Sequence, residues 1–362
     1  MKILVINPGS TSTKVAVFND GKRVWEDNTH HPANEIVKFA HINEQLPFRE
    51  ATVRRMLREW GQPLDFDAVI ARGGLLQPTP GGVYEIDDLI KNDLVNARME
   101  HACNLGALIA DSLAGEWGCP AFIADPEVVD EFIPEARLTG IPEITRHSIF
   151  HALNSKAVSR RYSEAIGKPY ESLNLIVAHL GGGISVGAHR HGKVIDVNNA
   201  LNGDGPFSPE RAGTIPADQL AELCYSGKYT LREVKKMLNG KGGIAAHLGM
   251  NDMIEITRRA ENGEEPFKLI VDSMIFNIGK EVGSRAVALQ GKVDAIILTG
   301  GIAYSRYVVD NLRKWISWIG PIVELPGEDE MESLAYNALG ALTHKLPLQK
   351  YCPSEILSPQ YE

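Results

Sequence analysis

Apolar residues run unbroken from Ile3 to Ile6, stop at a polar turn that begins at Asn7, and resume from Val15 to Phe18. Short apolar runs bounded by turn-forming residues mark buried strands. Residues 3–7 and 14–18 are therefore predicted to pair antiparallel, with Gly21 turning the chain into a third strand around Val24 and Trp25. Helical spacing predicts a helix over 48–60 and another over 93–117, where Leu94, Leu105, Leu108, Ile109 and Leu113 recur. The segments "FDAVIARGG" (66–74) and "CPAFIAD" (119–125) read as strands, and "PTPGGVYEI" (78–86) as a turn followed by a short strand.

The same order then recurs. A helix near 150–166 leads into "LNLIVAHLGGGISVGAHRHGKVIDV" (173–197): apolar strand, glycine-rich turn, second strand, and a Gly192–Lys193 that echoes Gly21–Lys22. Helices follow near 217–226, 230–238 and 266–290. A strand, two glycines and a helix start then occupy 293–309, and a strand, an acidic loop and a helix occupy 321–342. This order predicts an α/β protein in which a mixed sheet flanked by helices occurs twice. The expected division is an N-terminal domain over 1–145, with the C-terminal segment 333–362 packing back on it, and a second domain over 146–332. A cleft is expected between them, and no Pro/Ser-rich linker marks the hinge.

Composition narrows the function classes. The 362 residues are enough for about two domains with cores of their own. No apolar run approaches the roughly 20 residues that span a bilayer, and a strand-like start is not the pattern of a secretory signal, so no membrane partner is expected. A net charge of −9 without a dense basic stretch speaks against a nucleic-acid partner. Cys103, Cys119, Cys224 and Cys352 are scattered without a Cys-x-x-Cys pair, which fits reduced thiols in the cytoplasm better than disulfides or a zinc site.

The two glycine hairpins carry the first candidate chemistry. A turn of Gly9, Ser10, Thr11, Ser12 and Thr13 exposes backbone N–H groups that can bind phosphate oxygens, and "HLGGGIS" (179–185) repeats that arrangement. Either alone reads first as a hydroxyl-rich β-turn. Two at the starts of two similar halves could grip a polyphosphate from both sides of a cleft. "GSTSTK" is not a P-loop, because no second glycine precedes the lysine and a strand follows it. "LTGG" (298–301) is either a plain strand-to-helix turn or a close approach of backbone to an anion.

Charged residues at strand ends come next. Arg72 and Asp125 close two apolar strands, where open sheets place ligand-binding groups. Arg72 suits a carboxylate or an internal ion pair, and Asp125 a catalytic role or a helix cap. Arg211 lies in a Pro/Gly-bounded loop, as a cation delivered to a ligand or a solvated side chain. Glu328, Asp329, Glu330 and Glu332 precede a helix, either as ordinary N-terminal acids or as one or two residues that hold Mg²⁺ through water. His147, His151 and His179 are candidates for phosphate contact or structural hydrogen bonding.

Taken in order, "VINPGSTSTK" (5–14), "ARGG" (71–74), "IADP" (123–126), "RHSIFHALN" (146–154), "VAHLGGGIS" (177–185), "PFSPERAGTIP" (206–216), "LTGGIA" (298–303) and "DEMESLAYNALG" (329–340) resemble the acetate and butyrate kinase family across nearly the whole chain. The resemblance implies the duplicated actin-like ATPase (ribonuclease H-like) fold of the sugar-kinase superfamily. It implies reversible transfer of the γ-phosphoryl group of ATP to a short carboxylate, with Mg²⁺ as cofactor, ATP/ADP as co-substrate, and a homo-oligomer. Residue by residue, it assigns Asn7, Ser10, Ser12 and Lys14 to the phosphates and metal, and Arg72 with His151 to the acceptor. Asp125 and Arg211 match the catalytic pair, His179 a phosphate-contacting histidine, and Glu332 a glutamate linked to Mg²⁺ through water. Gly181, Gly182, Gly183, Gly300, Gly301 and Ile302 would line the nucleotide side.

Three departures are informative. Gly182 stands where acetate kinases usually carry asparagine, Ser155 where they carry a second histidine, and Ile254 where an adenosine-side arginine is expected. Together with the short chain they resemble the butyrate kinase branch, which implies butyrate or a branched relative as acceptor. The alternatives are an acetate or propionate kinase, a sugar or polyol kinase of the same fold, and a non-metabolic ATPase.

Overall fold

The computed structural model describes residues 1–97 and 100–352. Contacts divide the chain into two units, one formed by Met1–Asp130 with the chain from Asp329 onward, the other by Glu131–Glu328.

The first unit is built on β1 (Lys2–Pro8), β2 (Ser12–Asn19), β3 (Lys22–His30), β4 (Ala68–Arg72), β5 (Val83–Glu85) and β6 (Ala121–Ala124). The second contains β7 (Asn174–Leu180), β8 (Ile184–Arg190), β9 (Lys193–Val197), β10 (Ala295–Gly300) and β11 (Ile322–Pro326), after which β12 (Leu348–Gln349) returns to the first sheet. The orders are β12-β5-β6-β4-β1-β2-β3 and β11-β10-β7-β8-β9. In each, a three-strand antiparallel meander (β1–β3, β7–β9) is followed by strands parallel to its first member (β4 and β6, β10 and β11). Even the irregularity repeats: register shifts fall between Val17 and Phe18 and between Ala188 and His189. The duplication read from the sequence is thus present in five strands of each sheet, with β5 and β12 added to the first.

Burial explains the uninterrupted apolar runs. Ile3 to Ile6 and Leu175 to Ala178 are fully buried because helices or chain cover both faces of a central strand. The helix Leu46–Trp60 covers the first sheet with Val53, Met56 and Leu57, and Gly61 ends it in the left-handed region at φ 69°. The helix Phe267–Ala288 covers the second with Val271, Met274, Ile275, Ile278 and Val282.

Each half also lends its last helix to the other sheet. The helix Ala152–Ala165 follows the strands of the first half but packs on β7 and β10, and the helix Glu330–Leu342 follows β11 but packs on β1 and β4. This exchange sets the unit boundaries, which fall earlier than the expected 145/146 and 332/333. Residues ahead of the first crossover helix are already tied to the second unit: Lys156 pairs with Glu131 at 3.0 Å, and Ile133 N–H donates to Ile195 O at 3.1 Å. Asp329 caps the second crossover helix by accepting from Glu332 N–H at 3.3 Å. Of the C-terminal segment expected to pack back, residues 353–362 lie outside the described residues.

Two local expectations are corrected. The stretch 93–117 is not one helix but parts of two, Asp88–Val95 and Asn104–Trp117. The break frees Asn104, whose Oδ1 accepts from Leu75 N–H at 2.8 Å and holds the loop after β4. Two helices, Gly243–Leu248 and the amphipathic Met253–Glu261, were not anticipated.

Gly300 ends β10 at φ 86°, and a Cβ there would overlap the carbonyl oxygen of Leu180. Gly300→Ala is expected to lower the unfolding free energy by on the order of 2 kcal/mol or more in urea denaturation, since it meets both strain and a backbone clash.

Candidate functional site

In the first unit β1 and β4 run parallel with Ile6 opposite Ala71, which brings Asn7 beside Arg72 at the strand ends. Glu330, the first residue of the crossover helix, joins them. Asn7 Nδ2 donates to Glu330 Oε2 at 2.6 Å, and Arg72 Nη1 lies 2.9 Å from Oε1 and 3.1 Å from Oε2. Arg72 Nε reaches Glu127 Oε1 at 2.5 Å. Burial by itself would lower the Arg72 pKa, but Glu127 and Glu330 outweigh it and raise the value above the usual arginine range. Arg72 Nη2 makes no hydrogen bond among the described residues, and Glu127 Oε2 is buried without a partner.

Asp125 follows β6 with φ 39° and is 1% exposed; its Oδ1 accepts from Gly82 N–H at 2.8 Å. A non-glycine residue held in the left-handed region is a strained position of the kind that accumulates at functional sites.

The first hairpin loop stands on a residue that sequence reasoning passed over. Arg49 is 0% exposed on the helix Leu46–Trp60 and donates to the carbonyls of Gly9 (2.7 Å), Ser12 (2.7 Å) and Ser10 (3.1 Å). Burial pulls its pKa down to about 10, and no carboxylate pairs with it among the described residues. Beside it, Thr13 Oγ1 is 2.8 Å from His31 Nε2; burial first, then the charge of Arg49, holds the pKa of His31 at about 4. Ser10 Oγ is 3.3 Å from His101 Nε2. Lys14, opposite Asn7 in the β1–β2 register, pairs with Glu26 at 3.0 Å. Glu332 pairs with Arg23 at 3.2 Å and does not join Asn7 and Arg72; Glu330 does.

The second unit repeats the strand-end arrangement. His179 ends β7 opposite Thr299 of β10, and Asn154 on the crossover helix reaches both, with Nδ2 2.8 Å from His179 Nδ1 and 3.2 Å from Thr299 Oγ1. Thr299 Oγ1 donates onward to Gly327 O at 3.1 Å, so its oxygen accepts from Asn154. With the amide so oriented, His179 Nδ1 accepts and Nε2 carries the proton. Nε2 lies 2.7 Å from Glu328 Oε1, out of hydrogen-bond alignment. The His151 ring stacks on His179 with centroids 3.7 Å apart and planes at 8°, and its Nδ1 is 3.0 Å from Ser185 Oγ.

Arg211 lies across the second hairpin. A Cβ on Gly183 would overlap its guanidinium, so glycine there is what admits the arginine. Its Nη1 donates to Ala200 O, and Ser208, next to it in the loop, donates to Gly182 O at 2.7 Å. Burial lowers the Arg211 pKa against the opposing charge of Glu210, yet among the described residues no carboxylate forms an ion pair with it. A Cβ on Gly181 would sit tightly against His179 Nε2 (3.0 Å) and Glu328 Oε1 (3.2 Å), whereas Gly182 and Gly301 are open. Ile302, expected on the nucleotide side, is packed in the core, and Ile254 stands 84% exposed on its helix. His147 is exposed.

Sequence reasoning missed Arg49, Glu127, Asn154 and His101 and left Glu330 undistinguished within the acidic cluster. Arg49 had a signal, since it sits on the same helical face as Val53, Met56 and Leu57. The other contacts depend on which strands end side by side.

Comparison with known proteins gives a consistent picture. Residues 140–320 match the model of the acetokinase family. A probable butyrate kinase of Phocaeicola vulgatus is 68% identical over 353 residues, covering 98% of this chain and 100% of that protein. Butyrate kinase 2 of Clostridium acetobutylicum is 47% identical, covering 97% of this chain and 99% of its own. Among solved structures, the acetate kinase of Porphyromonas gingivalis has a TM-score of 0.76 at 19% identity, covering 94% of this chain and 99% of that one. A propionate kinase of Francisella tularensis has a TM-score of 0.73 at 19% identity, covering 93% and 98%. These structures establish the shared fold, the duplicated actin-like one expected from the sequence.

His31 predicts a pH dependence. Its native pKa of about 4 lies below the unfolded 6.5, so the unfolded chain binds the extra proton between those values. Stability is therefore expected to be complete above pH 6.5 and to fall as pH drops toward 4, with His189, held low by burial, acting in the same direction. Urea midpoints across pH 7 to 4 measure this, and His31→Gln should flatten the slope in part; an unchanged slope would remove His31 as its source.

Proposed function

We propose that this chain, which belongs to the acetokinase family and is a carboxylate kinase, phosphorylates butyrate or a related short or branched acid from ATP, reversibly, to give an acyl phosphate and ADP. Relatives named butyrate kinase that align over nearly the whole chain support this acceptor over acetate. The observation that carries the mechanism is the contrast between the two arginines: Arg72 is clamped by two carboxylates, whereas Arg211 lies on the glycine hairpin without one among the described residues.

A carboxylate acceptor is ionised at neutral pH and needs no strong base. The obstacle is an anion attacking a polyanion, so catalysis rests on positioning and on placed positive charge. Arg211, with charge to spare, stabilises the equatorial oxygens of the phosphoryl group in transfer. Arg72, largely neutralised and held rigid, offers its open Nη2 to orient the acceptor carboxylate. Asp125 acts as a positioning group, and His179 offers its Nε2 proton to a phosphate oxygen. His151, stacked on His179, holds that ring and borders the acceptor. The glycines of the second hairpin with Gly300 and Gly301 lie on the nucleotide side, and Ser10 and Ser12 on the phosphates, with Lys14 close by.

The donor set suits Mg²⁺. An amide and a carboxylate, Asn7 and Glu330, meet at a strand end, and no cluster of three or more metal-ligating side chains occurs among the described residues. That sparse set is how Mg²⁺ is commonly held, with water and substrate phosphates completing the shell. When bound, the ion would neutralise phosphate charge. We assign the metal-linked role to Glu330 before Glu332, because Glu330 is the one bonded to Asn7. Four free cysteines support a cytoplasmic setting, and a homo-oligomer is proposed from family resemblance. No helix among the described residues is long and apolar enough to cross a membrane.

A hydroxamate assay with MgATP across acetate, propionate, butyrate and isobutyrate is expected to give the highest kcat/KM for butyrate or isobutyrate. A maximum at acetate would reject that acceptor, and transfer to glucose or glycerol alone would reject a carboxylate acceptor. Arg211→Ala should lower kcat by about 10³-fold or more, by analogy with arginine fingers. Gly183→Ala should reproduce much of that loss by displacing Arg211; an undiminished kcat in both would exclude Arg211. Arg72→Ala should chiefly raise KM for the acid.

A further inference from the structure

We propose that Arg49 is a positioning residue for phosphate binding: from beneath the first hairpin its guanidinium turns the loop carbonyls inward and so presents the amides of Ser10 and Thr11 outward as an anion nest. The inference rests on the reading that this hairpin holds phosphate.

The geometry is specific. Nη1 donates to Gly9 O and Ser12 O, both at 2.7 Å, and Nη2 to Ser10 O at 3.1 Å. Nε donates to Gln45 Oε1 at 3.0 Å, one helical turn back, which fixes the plane of the fork. In a planar trans peptide the C=O and the following N–H point in opposite directions. Carbonyls of Gly9 and Ser10 held inward therefore send the N–H groups of Ser10 and Thr11 outward. Neither N–H makes a hydrogen bond among the described residues, and both residues are exposed. Gly9 N–H instead closes the loop on Ser12 O at 2.9 Å. Successive outward amides form a concave anion site.

The charge acts in the same sense. A buried cation without a counter-ion is costly, and among the described residues the hydrogen-bond partners of Arg49 are carbonyls and the neutral side chains of Gln45 and Thr13. A bound phosphate across the loop supplies the missing negative charge. Lysine would keep the charge but offers a single nitrogen in place of a planar fork that reaches three carbonyls.

The test uses calorimetric affinities for ADP and for adenosine, together with KM for ATP and for butyrate, in Arg49→Met, Arg49→Lys and Ser10→Pro. Ser10→Pro deletes one outward amide and tests the hairpin itself. The expected result is an ADP affinity weakened about tenfold or more in Arg49→Met, as befits a charge-assisted set of bonds, and less in Arg49→Lys. Adenosine affinity and KM for butyrate should stay within about twofold on the same scale, a separation that general destabilisation would not produce. Should Arg49→Met fail to fold, Arg49→Lys decides. Unchanged ADP affinity in the folded Arg49 variants, with Ser10→Pro weakened, overturns the role of Arg49 alone. Unchanged affinity in Ser10→Pro overturns the hairpin reading and this inference with it.

Discussion

A polar residue in the first turn of a crossover helix, hydrogen-bonded to the ends of two parallel strands, is the contact on which the candidate chemistry depends. Glu330 bridges Asn7 and Arg72 in one unit, and Asn154 bridges His179 and Thr299 in the other. The strand positions correspond, because Ile3 faces Ala68 as Leu175 faces Ala295. Duplication kept the frame and changed the chemistry: a carboxylate between an amide and a guanidinium in one half, an amide between an imidazole and a hydroxyl in the other. Each triad is held by a helix that its own half does not supply, so neither sheet is complete without the other half's chain.

Charge is distributed unevenly among Arg49, Arg72 and Arg211. Glu127 and Glu330 neutralise Arg72 and fix it, while Arg49 and Arg211 keep positive charge in partly or wholly buried positions with carbonyls as partners. A paired arginine is a rigid guide, and an unpaired one is a standing attraction for an anion. These two arginines, without an ion pair among the described residues, each lie against a hairpin loop, Arg49 beneath the first and Arg211 across the second.

Much of this was legible in the residues. The apolar runs of β1 and β7, the glycine turns after them and the recurrence of the whole order gave the duplicated sheets, because strand burial and turn chemistry are local properties. The positions of Arg72, Asp125 and His179 at strand ends could be read in the same way. Boundaries were less legible: the crossover helices join the sheet of the opposite half, and nothing in a helix's own periodicity names the sheet it covers. Helix 93–117 was misread for a related reason, since the need to hold the loop after β4 with Asn104 overrides an apolar spacing that continues through the break.

The amino-acid sequence by itself determined the fold class, the repeat and the eight ordered motifs that carry the family, since each is a matter of local spacing or residue type. Only the tertiary structure decided which members of those motifs lie together. It chose Glu330 over Glu332 at Asn7, left Arg211 without a carboxylate among the described residues, buried Ile302 in the core, and brought Arg49 from another helix beneath the first hairpin. These choices depend on strand register and on which buried charges find partners, and both are set by residues tens to hundreds of positions apart.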